Sequence, residues 1–240
     1  MKSLSNQVFS ILNNSRLEAS YRPPFLAAVL LLTISAITSG QSKAPPKSDT
    51  QSWNDVQVTV PINKKFEFVL LGTLRIGGNL TKPVDERWGI RFNYALQKYV
   101  TLQTSYFHRE AKPPNGKPES EERLTVGANF RIPLGKFTVN TRNWFERRWR
   151  DPQVNAWRYR NRIQLEHPFK ISKTKFNWFV SDEFFYDWSL HDWVRNRFAA
   201  GVSHTFNKHL TLEIYGMRQN DGRTKPGDVN VIGTTWRVKL

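Results

Sequence analysis

The side chains most able to do chemistry in this chain are arginines at alternate positions. Arg158, Arg160 and Arg162 fall in the stretch WRYRNRIQLE, Trp157–Glu166. A strand points successive side chains to opposite faces, so these three share a face with Gln164 and Glu166, while Trp157, Tyr159, Asn161, Ile163 and Leu165 share the other. Guanidinium groups two residues apart stand roughly 7 Å from each other along a strand. They repel unless carboxylates face them, and planar guanidinium groups also bind oxyanions. Alternation elsewhere in the chain puts Glu67, Arg75, Arg87, Arg91, Arg109, Arg123, Arg142, Glu146, Glu183, Arg195, Arg197 and Glu213 in the same polar register. Glu146 and Glu183 are the expected counter-ions of the arginine ladder. Two kinds of chemistry fit the set. It can be a structural ion-pair network filling a narrow interior, or it can line a pore that selects anions, since arginines outnumber acids.

Hydrolytic and metal chemistry find weaker support. Ser203 and His204 are neighbours, so a regular strand sends them to opposite faces. His108 and His204 fall on the apolar register. Asp182 and Glu183 are adjacent and make a poor acid–base pair for the same reason. His191 and Asp192 lack metal-ligand spacing, and the chain has no cysteine. The expectation is no catalytic set, no metal and no cofactor.

The elements that position these residues follow from period-2 patterning. Val56, Val58 and Val60 alternate with Asp55, Gln57 and Thr59. Phe66, Phe68, Leu70, Leu74 and Ile76 oppose Glu67, Thr73 and Arg75. Leu124, Val126, Ala128, Phe130 and Ile132 alternate with Arg123, Thr125, Gly127, Asn129 and Arg131. Eleven such segments can be marked between Trp53 and Leu240, each long enough for a tilted membrane strand of about 9–11 residues. Short turns near residues 63, 98, 134 and 208, and an intermediate one over 168–175, alternate with longer loops near 80, 115, 153, 190 and 223. The predicted fold is an all-β, antiparallel transmembrane barrel of about 10–12 strands. Because single-chain bacterial barrels have even strand numbers, ten or twelve is expected rather than eleven. The tryptophans (53, 88, 144, 149, 157, 178, 188, 193 and 236) lie mostly near segment ends and read as boundary girdles.

Upstream, Lys2, Arg16 and Arg22 precede an apolar run from Phe25 to Ile37, followed by Thr38, Ser39 and Gly40. That is the pattern of a signal peptide over residues 1–40. Residues 41–50 read as a disordered lead-in and residues 51–240 as the barrel. The formal charge of +16 raises nucleic acid as a partner, but the arginines sit inside alternating segments and no nucleic-acid-binding motif is present. A mean hydropathy of −0.56 is compatible with a barrel, where polar inward residues cancel apolar outward ones.

Several local patterns carry a family likeness. They are Trp53 through Pro61 to Lys65 with Arg75 beyond, Glu122–Arg123, PLGKFTV at Pro133–Val139, and the arginine-rich pair from Arg142 to Glu166. Asp182–Tyr186, Arg197–Gly201 and Leu212–Gly216 continue them. In these the chain resembles the bacterial outer-membrane barrels grouped as domain of unknown function 2490, over about Trp53–Leu240. The resemblance implies a barrel and a location, not an activity. The expected role is therefore an outer-membrane barrel without intrinsic catalysis, structural or a narrow passage or receptor for a small anionic solute. The expected partners are outer-membrane lipid, the barrel-assembly machinery during insertion, and that solute, with no nucleic acid. A lipid-modifying barrel enzyme and a soluble periplasmic ligand-binding barrel are the alternatives.

Overall fold

The computed structural model describes residues 48–112, 117–224 and 226–240. The expected leader over 1–40 lies outside the described residues, as does the lead-in up to residue 47. Eleven strands form one closed barrel. They are β1 (Ser48–Pro61), β2 (Phe66–Gly77), β3 (Lys82–Gln97), β4 (Val100–Ala111), β5 (Glu119–Leu134) and β6 (Phe137–Asp151). β7 (Ala156–Ile171), β8 (Thr174–Asp187), β9 (Asp192–Thr205), β10 (Leu210–Asn220) and β11 (Asp228–Lys239) complete it. β1 starts at Ser48, so Ser48–Thr50 of the expected lead-in belong to the wall. Asp49 fixes that start by accepting the backbone N–H groups of Gly78 (3.1 Å) and Asn79 (2.7 Å).

Each strand pairs antiparallel with its sequence neighbours, and β1 closes the ring against β11 in parallel, in register from Ser48↔Asp228 to Thr59↔Lys239. The expectation of an even count is therefore overturned. With an odd number of reversals the first and last strands run the same way. A parallel ladder is only slightly weaker per residue than an antiparallel one, so closure does not require parity.

The connections sort the barrel into two rims. At one rim the turns are short: Lys98–Tyr99, Gly135–Lys136 and Ser172–Lys173, with residues 62–65 and 206–209 slightly longer. Asn63 and Asn207 close those two longer turns, each side-chain oxygen accepting two backbone N–H groups just ahead of it. The turn expected over 168–175 contracts to Ser172–Lys173, because Pro168–Ile171 stay paired with β8. Ser172 takes the left-handed conformation, φ 55°, that such a tight reversal needs. The opposite rim carries the longer loops, between β4 and β5 and between β10 and β11 above all.

Burial is inverted relative to a soluble domain. Val56, Leu70, Ile90, Phe92, Val126, Phe130, Phe145, Ile163, Phe198 and Ile232 are exposed on the outer face. Glu121, Glu146, Arg158, Glu183 and Asp187 are buried inside. Trp88, Trp149, Trp157, Trp188 and Trp193 gather on the outer face toward the long-loop rim, and Trp178 and Trp236 toward the other. Trp53 and Trp144 depart from the girdle expectation. They occupy the polar register of β1 and β6 and are buried in the lumen, each beneath a guanidinium: Arg75 lies 3.4 Å above Trp53 and Arg142 3.9 Å above Trp144. Gly127 makes room for Trp144, since a Cβ there would meet the Asn143 carbonyl oxygen at 2.1 Å and the indole at 2.6 Å.

Candidate functional site

The lumen has two unlike walls. Strands β10, β11 and β1 contribute Met217, Tyr215, Val229, Val231 and Trp53 to a small apolar cluster. Strands β2 to β9 contribute most of the charges, arranged around four carboxylates. Asp85 on β3 accepts Arg87 Nε (2.5 Å) and Arg109 Nε (2.6 Å), with Arg75 at 3.9 Å. Glu121 on β5, 1 % exposed, accepts Arg123 Nε (2.8 Å) and both Nε and Nη2 of Arg148 (2.7 Å each). Glu146 on β6, with no exposure, accepts Arg158 Nε (2.6 Å) and Arg160 Nη1 (2.8 Å), and Arg123 approaches to 3.7 Å. Glu183 on β8 accepts Arg160 Nη2 (2.8 Å) and Arg142 Nη2 (2.6 Å), with Arg197 at 3.6 Å. Arg160 thus joins Glu146 to Glu183 across three strands.

These contacts follow from pleat and register. Glu146 lies directly opposite Arg158 in the β6–β7 ladder, and Glu183 lies opposite Arg162 and Arg197 in its two ladders. Inward residues on one strand are spaced by two, so a carboxylate between two ladder arginines reaches both. Phe185, 1 % exposed, fills the space behind them, with the guanidinium carbons of Arg158, Arg160, Arg195 and Arg197 all within 5.6 Å of its ring centre. A ring face under several cations stabilises them where water cannot.

Sequence reasoning placed sixteen charges in this lumen. Arg75, Arg87, Arg109, Arg123, Arg142, Glu146, Arg158, Arg160, Glu183, Arg195 and Arg197 are brought together in the network just described. Glu213 pairs with Arg237 (2.9 Å) at a wetter point, and Glu67 meets Lys239 (3.2 Å) near the short-turn rim. Glu166 accepts Gln164 Nε2 (2.6 Å). Arg91 and Arg162 also point inward, yet no described carboxylate forms an ion pair with either. Four participants were missed: Asp85, Glu121, Arg148 and Phe185. The spacing of Asp85 to Arg87 and of Glu121 to Arg123, two residues in each case, is the signal that would have found the two acids.

Three cavities follow one another along the axis. The one at the long-loop rim, about 520 Å³, is edged by Arg109, Arg148, Arg195 and Asp221. The middle one, about 290 Å³, is bounded by Trp53, Trp144, Arg91 and Arg162. The third, about 360 Å³, opens toward the short turns among Gln103, Asn129, Asn140 and Asn177. Arg75, Arg160 and Arg197 border both of the first two, and Arg142, Arg162 and Arg237 border both of the last two. Above them, Asp221 anchors the β10–β11 loop. It pairs with Arg195 and accepts the N–H groups of Arg223 (3.0 Å) and Thr224 (3.1 Å). Burial pushes its carboxyl up, but Arg195 and those N–H groups outweigh that and hold it below the ordinary Asp value.

The other residues singled out from sequence lie apart. Ser203 borders the short-turn cavity, while His204 is on the outer face against Phe176 and Phe206 with its Nδ1 2.8 Å from the Lys175 carbonyl oxygen. His108 is on the outer face between Glu122 and Glu110. Asp182 faces outward to Asn196 while Glu183 faces inward.

No curated protein sequence matches the chain. Among solved structures, an anion-selective porin from Comamonas acidovorans aligns at 10% identity over 73% of this chain and 54% of the porin, TM-score 0.38. The chain thus spans about half the porin's length. LpxR from Salmonella typhimurium aligns at 8% identity over 72% of this chain and 83% of its own, TM-score 0.46. At these values nothing about activity carries over from either. Residues 50–230 match the family described as "Protein of unknown function (DUF2490)", and the chain belongs to that family.

Proposed function

We propose that this barrel sits in the bacterial outer membrane and acts without intrinsic catalysis as a narrow, arginine-lined passage or receptor for a small anionic solute. The observation that carries the reading is the pairing of an apolar outer belt with a cationic lumen. Exposed apolar surface on this scale finds its place in hydrocarbon. Inside, nine arginines and four carboxylates line the middle cavity, so an anion entering it meets net positive charge in a medium that screens poorly. The clamp around Glu146 and Glu183 narrows the lumen, which suits small solutes rather than bulk diffusion. The partners in this reading are outer-membrane lipid, the barrel-assembly machinery during insertion, and the anion itself; nucleic acid has no place in it.

The experiment has two parts. Fractionation of cells should recover a heat-modifiable band with the outer membrane, processed near Gly40. The purified protein in a planar bilayer under a salt gradient should give small conductance steps with a reversal potential on the anion-selective side. Recovery in the soluble periplasm refutes the location, and a cation-selective current refutes the passage.

A further inference from the structure

The charge accounting of the middle cavity does not close. Three of its four acids are held in ion pairs. Glu183 serves Arg142, Arg160 and Arg197; Glu146 serves Arg158 and Arg160; Glu213 serves Arg237; and Asp55 accepts the Thr73 hydroxyl at 2.5 Å. Arg91 on β3 and Arg162 on β7 line the same cavity and are left over. The Arg91 Nε is buried, and no described acceptor reaches it. The charges that bear most on Arg91 are the cations Arg162 and Arg237, with the Asp55 carboxylate next and opposing them. Its guanidinium lies 5.7 Å from the centre of the Trp144 ring, which Arg142 also covers. Nine arginines face four carboxylates across this space, and guanidinium groups left there without an ion pair are a costly arrangement. An anion between them removes the repulsion and supplies the buried Arg91 Nε with an acceptor at once. A cavity of about 290 Å³ lies at the small end of ligand sites, of order 300–1,000 Å³.

We infer that the middle of the lumen holds a discrete binding site for a small oxyanion, a phosphate or a carboxylate, gripped between Arg91 and Arg162 over Trp144. The site refines the reading of the lumen as an anion route, and it differs from that route in being saturable. Guanidinium groups take oxyanions through two parallel N–H···O bonds, a geometry that chloride cannot reproduce. The site should therefore prefer phosphate and acetate to chloride at equal ionic strength, and the order of the first two tells a headgroup-like oxyanion from a carboxylic one. Arg75, Arg123, Arg142, Arg160, Arg197 and Arg237, which line the same cavity, each lie in an ion pair with a described carboxylate.

The test uses the full chain folded in detergent micelles, titrated calorimetrically with inorganic phosphate and, separately, with sodium acetate, against sodium chloride at constant ionic strength. Saturable binding of at least one oxyanion is expected. It should weaken at least about tenfold in Arg91→Gln and in Arg162→Gln, each of which removes charge-assisted hydrogen bonds. Arg91→Lys, which keeps the charge and loses the fork, should fall between. Arg131→Gln, exposed and outside this cavity, should bind as the wild type does. No saturable binding by the wild type, or equal binding by Arg91→Gln and Arg131→Gln, overturns the site. If a glutamine variant fails to give a heat-modifiable folded band, Arg91→Lys and the wild-type titration decide alone. Saturable binding without ion current leaves the site standing and refutes the passage. Anion-selective current without saturable binding does the reverse.

Discussion

Glu146→Gln is the sharpest perturbation of the lumen. The carboxylate has no exposure, takes Nε and Nη2 of Arg158 at 2.6 and 2.5 Å and Nη1 of Arg160 at 2.8 Å, and has Arg123 at 3.7 Å. The amide keeps the volume and one acceptor oxygen but turns an NH₂ group toward a guanidinium. Three arginines then face a neutral group in an enclosed space. Removing one side of a buried ion pair costs about 3–5 kcal/mol, most of it the penalty of the stranded charge. Urea slopes of roughly 1–3 kcal/mol per M convert this into a midpoint lower by at least about 1 M. The assay is urea unfolding of the protein in lipid vesicles, followed by tryptophan fluorescence. Glu213→Gln is the internal control. Its single partner Arg237 is 42 % exposed at 2.9 Å, and solvated pairs contribute about 0–1 kcal/mol. A Glu146→Gln midpoint no lower than that of Glu213→Gln refutes the clamp and makes the lumen uniformly wet.

Ala128→Arg, on the outer face between Val126 and Phe130, should cost about 2–4 kcal/mol in vesicle folding, and the inward Asn129→Arg less; equal costs would contradict the register. Gly127→Ala forces a Cβ to within 2.1 Å of a backbone oxygen, whereas Gly216 has nothing within 4 Å. The first should lose about 1–3 kcal/mol by overpacking and the second should be nearly silent in the same urea assay. Asp221, with a depressed folded value, contributes loop stability that is complete above its ordinary value of about 3.9 and lost as pH falls through the lowered one. Hydrogen exchange of the Arg223 and Thr224 amides should stay slow at neutral pH and quicken only under acid, and Asp221→Asn should be fast already at pH 7.

The period-2 signal made most of the wall legible. Val56, Val58 and Val60 or Leu124, Val126 and Ala128 assign an outer face without reference to any partner strand, and Arg158, Arg160 and Arg162 assign the inner one. Glu146 and Glu183 could be picked as counter-ions because they sit in the inward register of flanking strands. What stayed hidden depends on reach across the ring. Trp53 and Trp144 look like girdle residues until Arg75 and Arg142 are seen to cover them. Phe185 is one aromatic among many until four guanidinium groups converge on it. Nothing local separates Arg162, which no described carboxylate pairs with, from Arg160, which holds two, because the difference lies in which arginines of β6, β7 and β9 reach Glu183. The odd strand count was legible as eleven alternating segments, but the parallel closure of β1 on β11 that accommodates it was hidden for a related reason. The pairing of Trp53 with Gly233 is a contact between opposite ends of the chain, and no neighbouring residue encodes it.

The parallel seam between β1 and β11 also decides how this chain can be rewired. Ser48 and Asp228 share one rim, while Pro61 and Lys239 share the other. In an even-stranded barrel the two ends meet at one rim, and a short turn would join them into a circular permutant. Here a covalent bridge from Lys239 back to Ser48 must run the whole height of the wall. With 14 residues in β1 at about 3.3 Å each, that is roughly 45 Å and needs on the order of 14 extended residues. Such a bridge would cross the apolar outer face with unpaired backbone groups or occupy the lumen beside the arginines. Permutants of this barrel should therefore fold only with long polar linkers, and those linkers should block the bore.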